Sequence, residues 1–206
     1  MFEIDLGSTG SDINEFLQWS AVGTRCGTVR ARSFYLREGK EKQEIESPKT
    51  KGFVIDIDSL KTGWQKSEGI QGVAPEWKWN ASVNQMMQKP GDDWKKGISI
   101  KVALGKDKVV VWEQAGAAVW AVLTELSSKL QDRPEGKLPH VKMTGSKDIK
   151  FQKGSTAYPE FEIVKWVDRP DCLKEGVAAG IALDETPSAE KEPDPAPVMD
   201  DDDDFA

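Results

Sequence analysis

Several short segments of the chain alternate apolar and polar residues, and this pattern predicts a sheet with one buried face. The alternation is clearest between residues 94 and 104, where Ile98, Ile100 and Val102 would face inward and Lys101 outward. Further strands are predicted at residues 28–36, 53–58, 109–113, 138–144 and 158–167, and a short strand at residues 76–80 is an option within the long connection of residues 59–93.

One segment has helical spacing instead. Between residues 115 and 131 the apolar side chains recur every three or four positions, and Pro134 follows the last of them. The order is therefore three or four strands, one helix and two strands. It predicts a mainly β fold, a five-stranded, OB-fold-like Greek-key barrel with the helix between strands three and four. Residues 59–93 and 147–157 are predicted to be long loops.

Charge is distributed unevenly along the chain. The whole sequence has 28 basic and 35 acidic residues, a formal net charge of −7. Residues 184–206 hold ten of the acidic residues and one basic residue, so residues 1–183 carry 27 basic and 25 acidic side chains. The final segment has too few apolar residues to form a core. We therefore expect an OB-fold nucleic-acid-binding domain over residues 1–183 and a disordered acidic interaction tail over residues 184–206.

The sequence offers little for catalysis. His140 is the sole histidine, which argues against most hydrolase triads and all multi-histidine metal centres. Cys26 and Cys172 have no metal-like spacing and give no disulfide framework. A phosphate-binding glycine loop is also missing from the sequence. We therefore expect a protein that is not an enzyme and that has no metal and no cofactor.

Tryptophan and basic residues stand side by side in the sequence, which has eight tryptophans. Binding to single-stranded nucleic acid needs this pairing, because the ring stacks on any base while the cation meets the neighbouring phosphate. The alternation at residues 28–36 also places two arginines and a phenylalanine on one strand face. The candidate nucleic-acid-binding residues are Arg30, Arg32, Phe34, Trp64, Lys66, Trp77, Lys78, Trp79 and Lys101. As an alternative, the tryptophans belong to the core and Lys101 lies on a solvated face.

The order of elements and the last residues resemble the single-stranded DNA-binding proteins of bacteriophages and, in part, of bacteria. These families combine an OB-fold core with a disordered tail that ends in acidic residues and an aromatic one. The matching residues here are Asp200, Asp201, Asp202, Asp203, Asp204 and Phe205. Some phage members end on phenylalanine itself, whereas Ala206 follows Phe205 in this chain. The segments FVIDIDSLKTGWQK and YPEFEIVKWVDRP are also similar to phage proteins of this kind.

The resemblance implies a protein that coats and protects single-stranded DNA, without sequence specificity, in DNA replication, recombination or repair. The tail would regulate binding and recruit replication or recombination proteins. RNA stays open as a second ligand, and so does self-association into a homo-oligomer. No apolar run reaches the ~20 residues of a membrane span, so we expect no membrane partner. The expected location is the cytoplasm, that of a bacterial host cell if the protein is phage-encoded.

Three other functions stay open on the sequence. The first is a protein-interaction or assembly module, such as a phage structural or scaffold protein, in which the tail is a docking peptide and nucleic acid is not bound. The second is a strand-annealing recombination protein, which shares the ligand. The third is a nuclease with carboxylate-bound Mg²⁺, which the sequence supports least because it lacks a clustered acidic motif.

Overall fold

The computed structural model describes residues 15–24, 27–69, 73–151 and 154–174. Within these residues the chain forms nine strands and three helices, with the predicted acidic tail outside them. In chain order the elements are β1 (Glu15–Ser20), β2 (Ser33–Glu38), β3 (Glu41–Ile45), α1 (Ser47–Thr50), β4 (Phe53–Lys66), β5 (Glu76–Trp79), β6 (Lys95–Ala103), β7 (Val109–Ala115), α2 (Ala117–Lys129), β8 (Leu138–Phe151), β9 (Gly154–Val167) and α3 (Asp171–Lys174).

The strands form one sheet, in the order β3-β2-β1-β7-β6-β4-β8-β9, that curls into a half-barrel. Every pair is antiparallel except β1 with β7, which is parallel. The long strand β4 organises the sheet: β6 pairs along one edge, while β8 pairs with its start and β5 with its end on the other. A register shift between Asp56 and Lys61 bends β4 between those two halves.

A cluster of aromatic rings fills the inside of the curl. Phe34 lies at its centre, with ring centroids 5.1 Å from Trp19, 5.5 Å from Trp112 and 6.0 Å from Phe161. Helix α2 covers the cluster with its buried apolar side chains, Val119, Val122 and Leu126. The indole of Trp19 on β1 donates a hydrogen bond to the Ala157 carbonyl on β9 at 2.8 Å, so these two strands are joined across the core.

The period-two pattern predicted the inward face correctly where a strand has one buried side. Ile98, Ile100 and Val102 are all buried, as expected, and the predicted helix is α2 with slightly shorter bounds. The mainly β class is confirmed. The strand predicted at residues 28–36 is wrong in its first half, because Arg32 has the left-handed backbone angle φ +56° and β2 begins only at Ser33.

Two predicted loops contain strands instead. Residues 144–156, where described, are half-buried or exposed, so this part of the β8–β9 hairpin has no buried face to impose an alternation. Within residues 59–93, β4 continues to Lys66, whereas β5, which pairs with it, is the short strand predicted at residues 76–80. The bulge before Lys61 shifts the alternation by one position, which hid this second half of β4.

Candidate nucleic-acid interface

The side of the sheet opposite the aromatic core, which we call the outer face, carries aromatic rings and cations together. Strand alternation and register assign its residues, because directly paired residues of neighbouring strands share a face. Its principal side chains are Phe16 and Gln18 on β1, Tyr35 and Arg37 on β2, Lys42 on β3, Lys61 and Gln65 on β4, Trp77 and Trp79 on β5, Lys95 on β6 and Glu113 on β7.

Trp77 and Trp79 form a stacked pair on this face. Their ring centroids lie 4.3 Å apart and their planes differ by 9°, and both side chains are half-buried. Two glycines make room for them: a Cβ on Gly97 would lie 2.7 Å from the Trp77 ring, and one on Gly63 would lie 2.4 Å from the Lys78 carbonyl oxygen. Strand β5 can therefore pair closely with β4 while the Trp77 ring lies over Gly97 of β6, and the pair is a ready-made stacking platform.

Two more rings on the outer face contact cations. The Arg37 guanidinium lies 5.6 Å from the ring centroid of Phe16, and the Lys42 ammonium lies 5.8 Å from that of Tyr35. The Tyr35 hydroxyl donates to Gln18 Oε1 at 2.7 Å, which fixes the ring, and burial raises the pKa of Tyr35. The two-residue turn between β2 and β3 positions this pair of cations, with Gly39 at φ +54° in its first position.

Four cations of the outer face have no carboxylate close to their charged groups. Among the described residues, no carboxylate lies within 4.0 Å of the charged group of Arg37, Lys42, Lys61 or Lys95. The buried Nε of Arg37 also has no hydrogen-bond acceptor in that part of the chain. These charges are therefore available to an anionic ligand.

A cleft of about 670 Å³ opens on the outer face between the β2–β3 turn and the end of β4. Phe16, Arg37, Lys42 and Gln65 line it, and Glu113 is the acidic residue of its lining. Burial raises the pKa of the Glu113 carboxyl, and this rise is partly opposed first by the neighbouring Trp77 indole and then by the charge of Arg37.

The structure places only two of the predicted binding aromatics on this platform, Trp77 and Trp79. Phe34 is 1 % exposed at the centre of the core, which corrects the predicted basic and aromatic strand face. Trp64 is buried as well, and its indole donates to the Met87 carbonyl oxygen at 3.1 Å. Neither ring can stack on a base in this conformation.

The predicted arginines point to different partners. Arg30 is exposed and ion-paired with Glu44 and Glu46. Arg32 donates to Asp148 Oδ1 at 2.8 Å and to Ser146 on β8. The structure therefore does not bring these two side chains together into one basic patch.

The predicted lysines are also dispersed. Lys66 lies at the end of β4 opposite Glu76. Lys78 lies on the other side of β5 from the stacked pair, with its ammonium 4.8 Å from the Trp94 ring centroid. Lys101 is on the outer face of β6, but it lies opposite Asp56 at the far end from the stacked pair.

The two spaced carboxylates of β4 are structural. Asp56 is buried and accepts a hydrogen bond from Arg169 at 2.6 Å. Asp58 accepts two bonds from Arg133 at 2.8 and 3.0 Å and one from Arg169 at 2.7 Å. No group of three or more metal-binding side chains occurs in the described part of the chain. Within the same residues, no helix is long and apolar enough to span a membrane.

Comparison with protein families, with curated proteins and with solved structures gives no match for this chain. The predicted tail residues Asp200–Asp204 and Phe205 lie outside the described residues.

Sequence reasoning missed Phe16, Arg37, Lys42, Lys61 and Lys95. A local signal existed for two of them: the Gly39-Lys40 turn predicts a hairpin that sets Arg37 opposite Lys42. The other three come from separate strands, and only the sheet order brings them onto one face.

Proposed function

We propose that the protein binds single-stranded nucleic acid, in the first place single-stranded DNA, on the outer face of its sheet. The observation that carries this proposal is the set of cations without ion-pair partners beside a stacked tryptophan pair. Bases would stack on Trp77 and Trp79 while Arg37, Lys42, Lys61 and Lys95 neutralise phosphates. Because stacking and charge neutralisation do not depend on base identity, binding would be largely independent of sequence.

We further propose that the sheet is an elaborated OB-fold. The connectivity supports this: β4, β6 and β7 form a meander, α2 follows, and β8 returns to the second edge of β4 before pairing with β9. In a five-stranded barrel of this kind, the third and fifth strands meet. Here β1 lies beside β7 and is tied to β9 by the Trp19 hydrogen bond, so it would fill the gap between those two strands.

The acidic tail has a place in this proposal. Five consecutive aspartates resemble a short run of phosphates, and Phe205 resembles a stacked base. Residues 184–206 would therefore compete with nucleic acid for the outer face and, once displaced, recruit proteins of replication, recombination or repair. Removal of residues 184–206 should raise DNA affinity at low salt, and an unchanged or lower affinity would contradict the competition.

The proposal is tested by titrating the full chain with oligothymidine at several salt concentrations and measuring fluorescence anisotropy. We expect the affinity to fall steeply with salt because phosphate binding releases counterions. Replacing Lys42 with alanine should reduce the slope of log K against log salt by about 0.7, the value for one contact to a single strand. The control is Lys174→Ala, which removes an exposed lysine of α3 that is paired with Asp171.

Equal slopes for Lys42→Ala and the wild-type protein would exclude Lys42 from the interface. Absence of a salt-dependent complex with either DNA or RNA would refute the proposed function as a whole. Oligouridine in place of oligothymidine then decides between RNA and DNA as the preferred ligand, because RNA adds a 2′-hydroxyl.

A further inference from the structure

We propose that the outer-face cleft holds one nucleobase that carries an exocyclic amino group, with Glu113 as the acceptor that selects it. This inference rests on the proposed function and adds a preference at one position of an otherwise sequence-tolerant interface. Cytosine, adenine and guanine would be accepted there, and uracil or thymine would be disfavoured.

The size and lining of the cleft suit a nucleotide. Its volume of about 670 Å³ falls within the range of small-molecule sites. Phe16 offers an apolar ring, while Arg37, Lys40 and Lys42 offer positive charges at one side for a phosphate. Glu113 and Gln65 also line the cleft and present an acceptor and an amide to a base edge.

The neighbouring side chains limit which groups can read a base. Gln18 accepts from the Tyr35 hydroxyl at 2.7 Å and donates to the Glu113 backbone carbonyl at 3.4 Å, so its amide is already engaged. The Glu113 carboxylate interacts with the side chains of Trp77 and Ser99, and with the positive charges of Arg37 and Lys61. An ionised carboxylate has about four acceptor positions, so these neighbours leave it able to accept from a base. They also hold it next to the stacking platform.

The chemistry of the base edges provides the selectivity. A carboxylate accepts from the amino group of cytosine, as from those of adenine and guanine. In uracil and thymine a carbonyl oxygen takes the place of the cytosine amino group and would face the negative charge of Glu113, while the N–H donor of the ring lies one position away. The half-buried Glu113 carboxylate and this carbonyl oxygen would make no hydrogen bond to each other, which costs affinity.

The test compares oligodeoxycytidine with oligodeoxyuridine of equal length, bound by the full chain at one salt concentration and above pH 7. The two ligands differ only at the base edge, because deoxyuridine lacks the thymine methyl group. We expect the cytidine oligomer to bind about fivefold tighter or more, the lower end of what one good base contact provides. In Glu113→Gln the amide can donate to the uracil carbonyl, so the ratio should fall to within about twofold.

Glu135→Gln is the matched control, since Glu135 is an exposed acid that does not line the cleft. This variant should keep the wild-type ratio. A wild-type ratio near one, or tighter binding of the uridine oligomer, would overturn the inference and leave the proposed function intact. Failure of both oligomers to bind would overturn the proposed function as well. A cytidine preference that is unchanged in folded Glu113→Gln would exclude Glu113 as the selecting acceptor and would also overturn the inference, whereas a wild-type ratio near one overturns it without any variant.

Discussion

Replacing Trp77 with alanine tests the outer face most directly. This residue stacks on Trp79 at 4.3 Å and lies against Gly97, so the substitution removes half of the platform. A base stacked on an aromatic ring contributes about 1–3 kcal/mol, which corresponds to a loss in affinity of about 5- to 150-fold. The salt slope should not change, because the indole contacts no phosphate.

Folding must be separated from binding in this experiment. The stacked pair contributes about 0.5–1.5 kcal/mol beyond its buried area, and a chain of this size loses about 2–4 °C in Tm per kcal/mol. Trp77→Ala loses this contribution together with the apolar area of a half-buried indole, so it should melt at least a few degrees lower than the wild-type protein while remaining folded at 25 °C. Circular dichroism during thermal unfolding measures this shift.

The matched control is Trp166→Ala. Trp166 pairs with Pro139 on β8, near the start of β4, whereas Trp77 pairs with Gln65 at the end of that strand. Anisotropy titrations with oligothymidine should show a large loss for Trp77→Ala and a small one for Trp166→Ala. A second route to the same result is Gly97→Ala, whose new methyl group would displace the Trp77 ring.

The reasoning would be refuted if Trp77→Ala bound DNA within about twofold of the wild-type protein, well below the weakest expected stacking contribution. It would also be refuted if Trp77→Ala and Trp166→Ala lost the same affinity. Either result would mean that the stacked pair supports the fold and leaves the ligand to other side chains.

Two further predictions concern the ion pairs of Asp56 and Asp58 on β4. Arg169→Ala leaves the buried Asp56 carboxylate without the Arg169 guanidinium, so the free energy of unfolding measured in urea should fall by about 3–5 kcal/mol. Arg169→Lys keeps a positive charge and should lose less. Equal stability of the wild-type protein and both variants would contradict this prediction. For Asp58, hydrogen bonding from Arg133 holds the pKa below its usual range. Its stabilisation is therefore complete above the unfolded-state pKa of about 3.9 and disappears as the pH falls through the lower folded-state pKa. The difference in free energy of unfolding between the wild-type protein and Asp58→Asn should narrow between pH 5 and pH 2 or so in urea titrations. A difference that widens on acidification would contradict the lowered folded-state pKa of Asp58.

The core could be predicted from the sequence because burial imposes a period on it. Ile98, Ile100 and Val102 alternate with polar residues, since one side of β6 packs against the aromatic cluster. Helix α2 could be predicted for the same reason, because its buried side chains Val119, Val122 and Leu126 recur every three or four positions. Where a strand lacks a buried side, as in the outer part of the β8–β9 hairpin, the pattern disappears and the residues resemble a loop.

The candidate site could be predicted only in part because its residues meet through the sheet order. Trp77 and Trp79 were visible as a local pair two residues apart, which places both rings on one side of a strand. Phe34 was assigned to the same strand face as Arg30 and Arg32. The left-handed conformation of Arg32 means that the strand begins only at Ser33, so the arginines lie outside it and Phe34 packs into the core. Phe16 and Arg37 are 21 positions apart in sequence and become neighbours only through β1–β2 pairing.

Net charge is a poor guide to the proposed binding surface, and the ion pairs explain why. The body of the chain has nearly balanced charge, yet Arg30, Arg32, Arg133 and Arg169 are all engaged by carboxylates. Arg37, Lys42, Lys61 and Lys95 on the outer face have no such partners among the described residues. A small overall excess of basic residues can therefore coexist with a locally strong positive surface, because acidic side chains neutralise the cations elsewhere. An anionic ligand responds to that local surface, so for this protein the salt dependence of binding is more informative than the net charge.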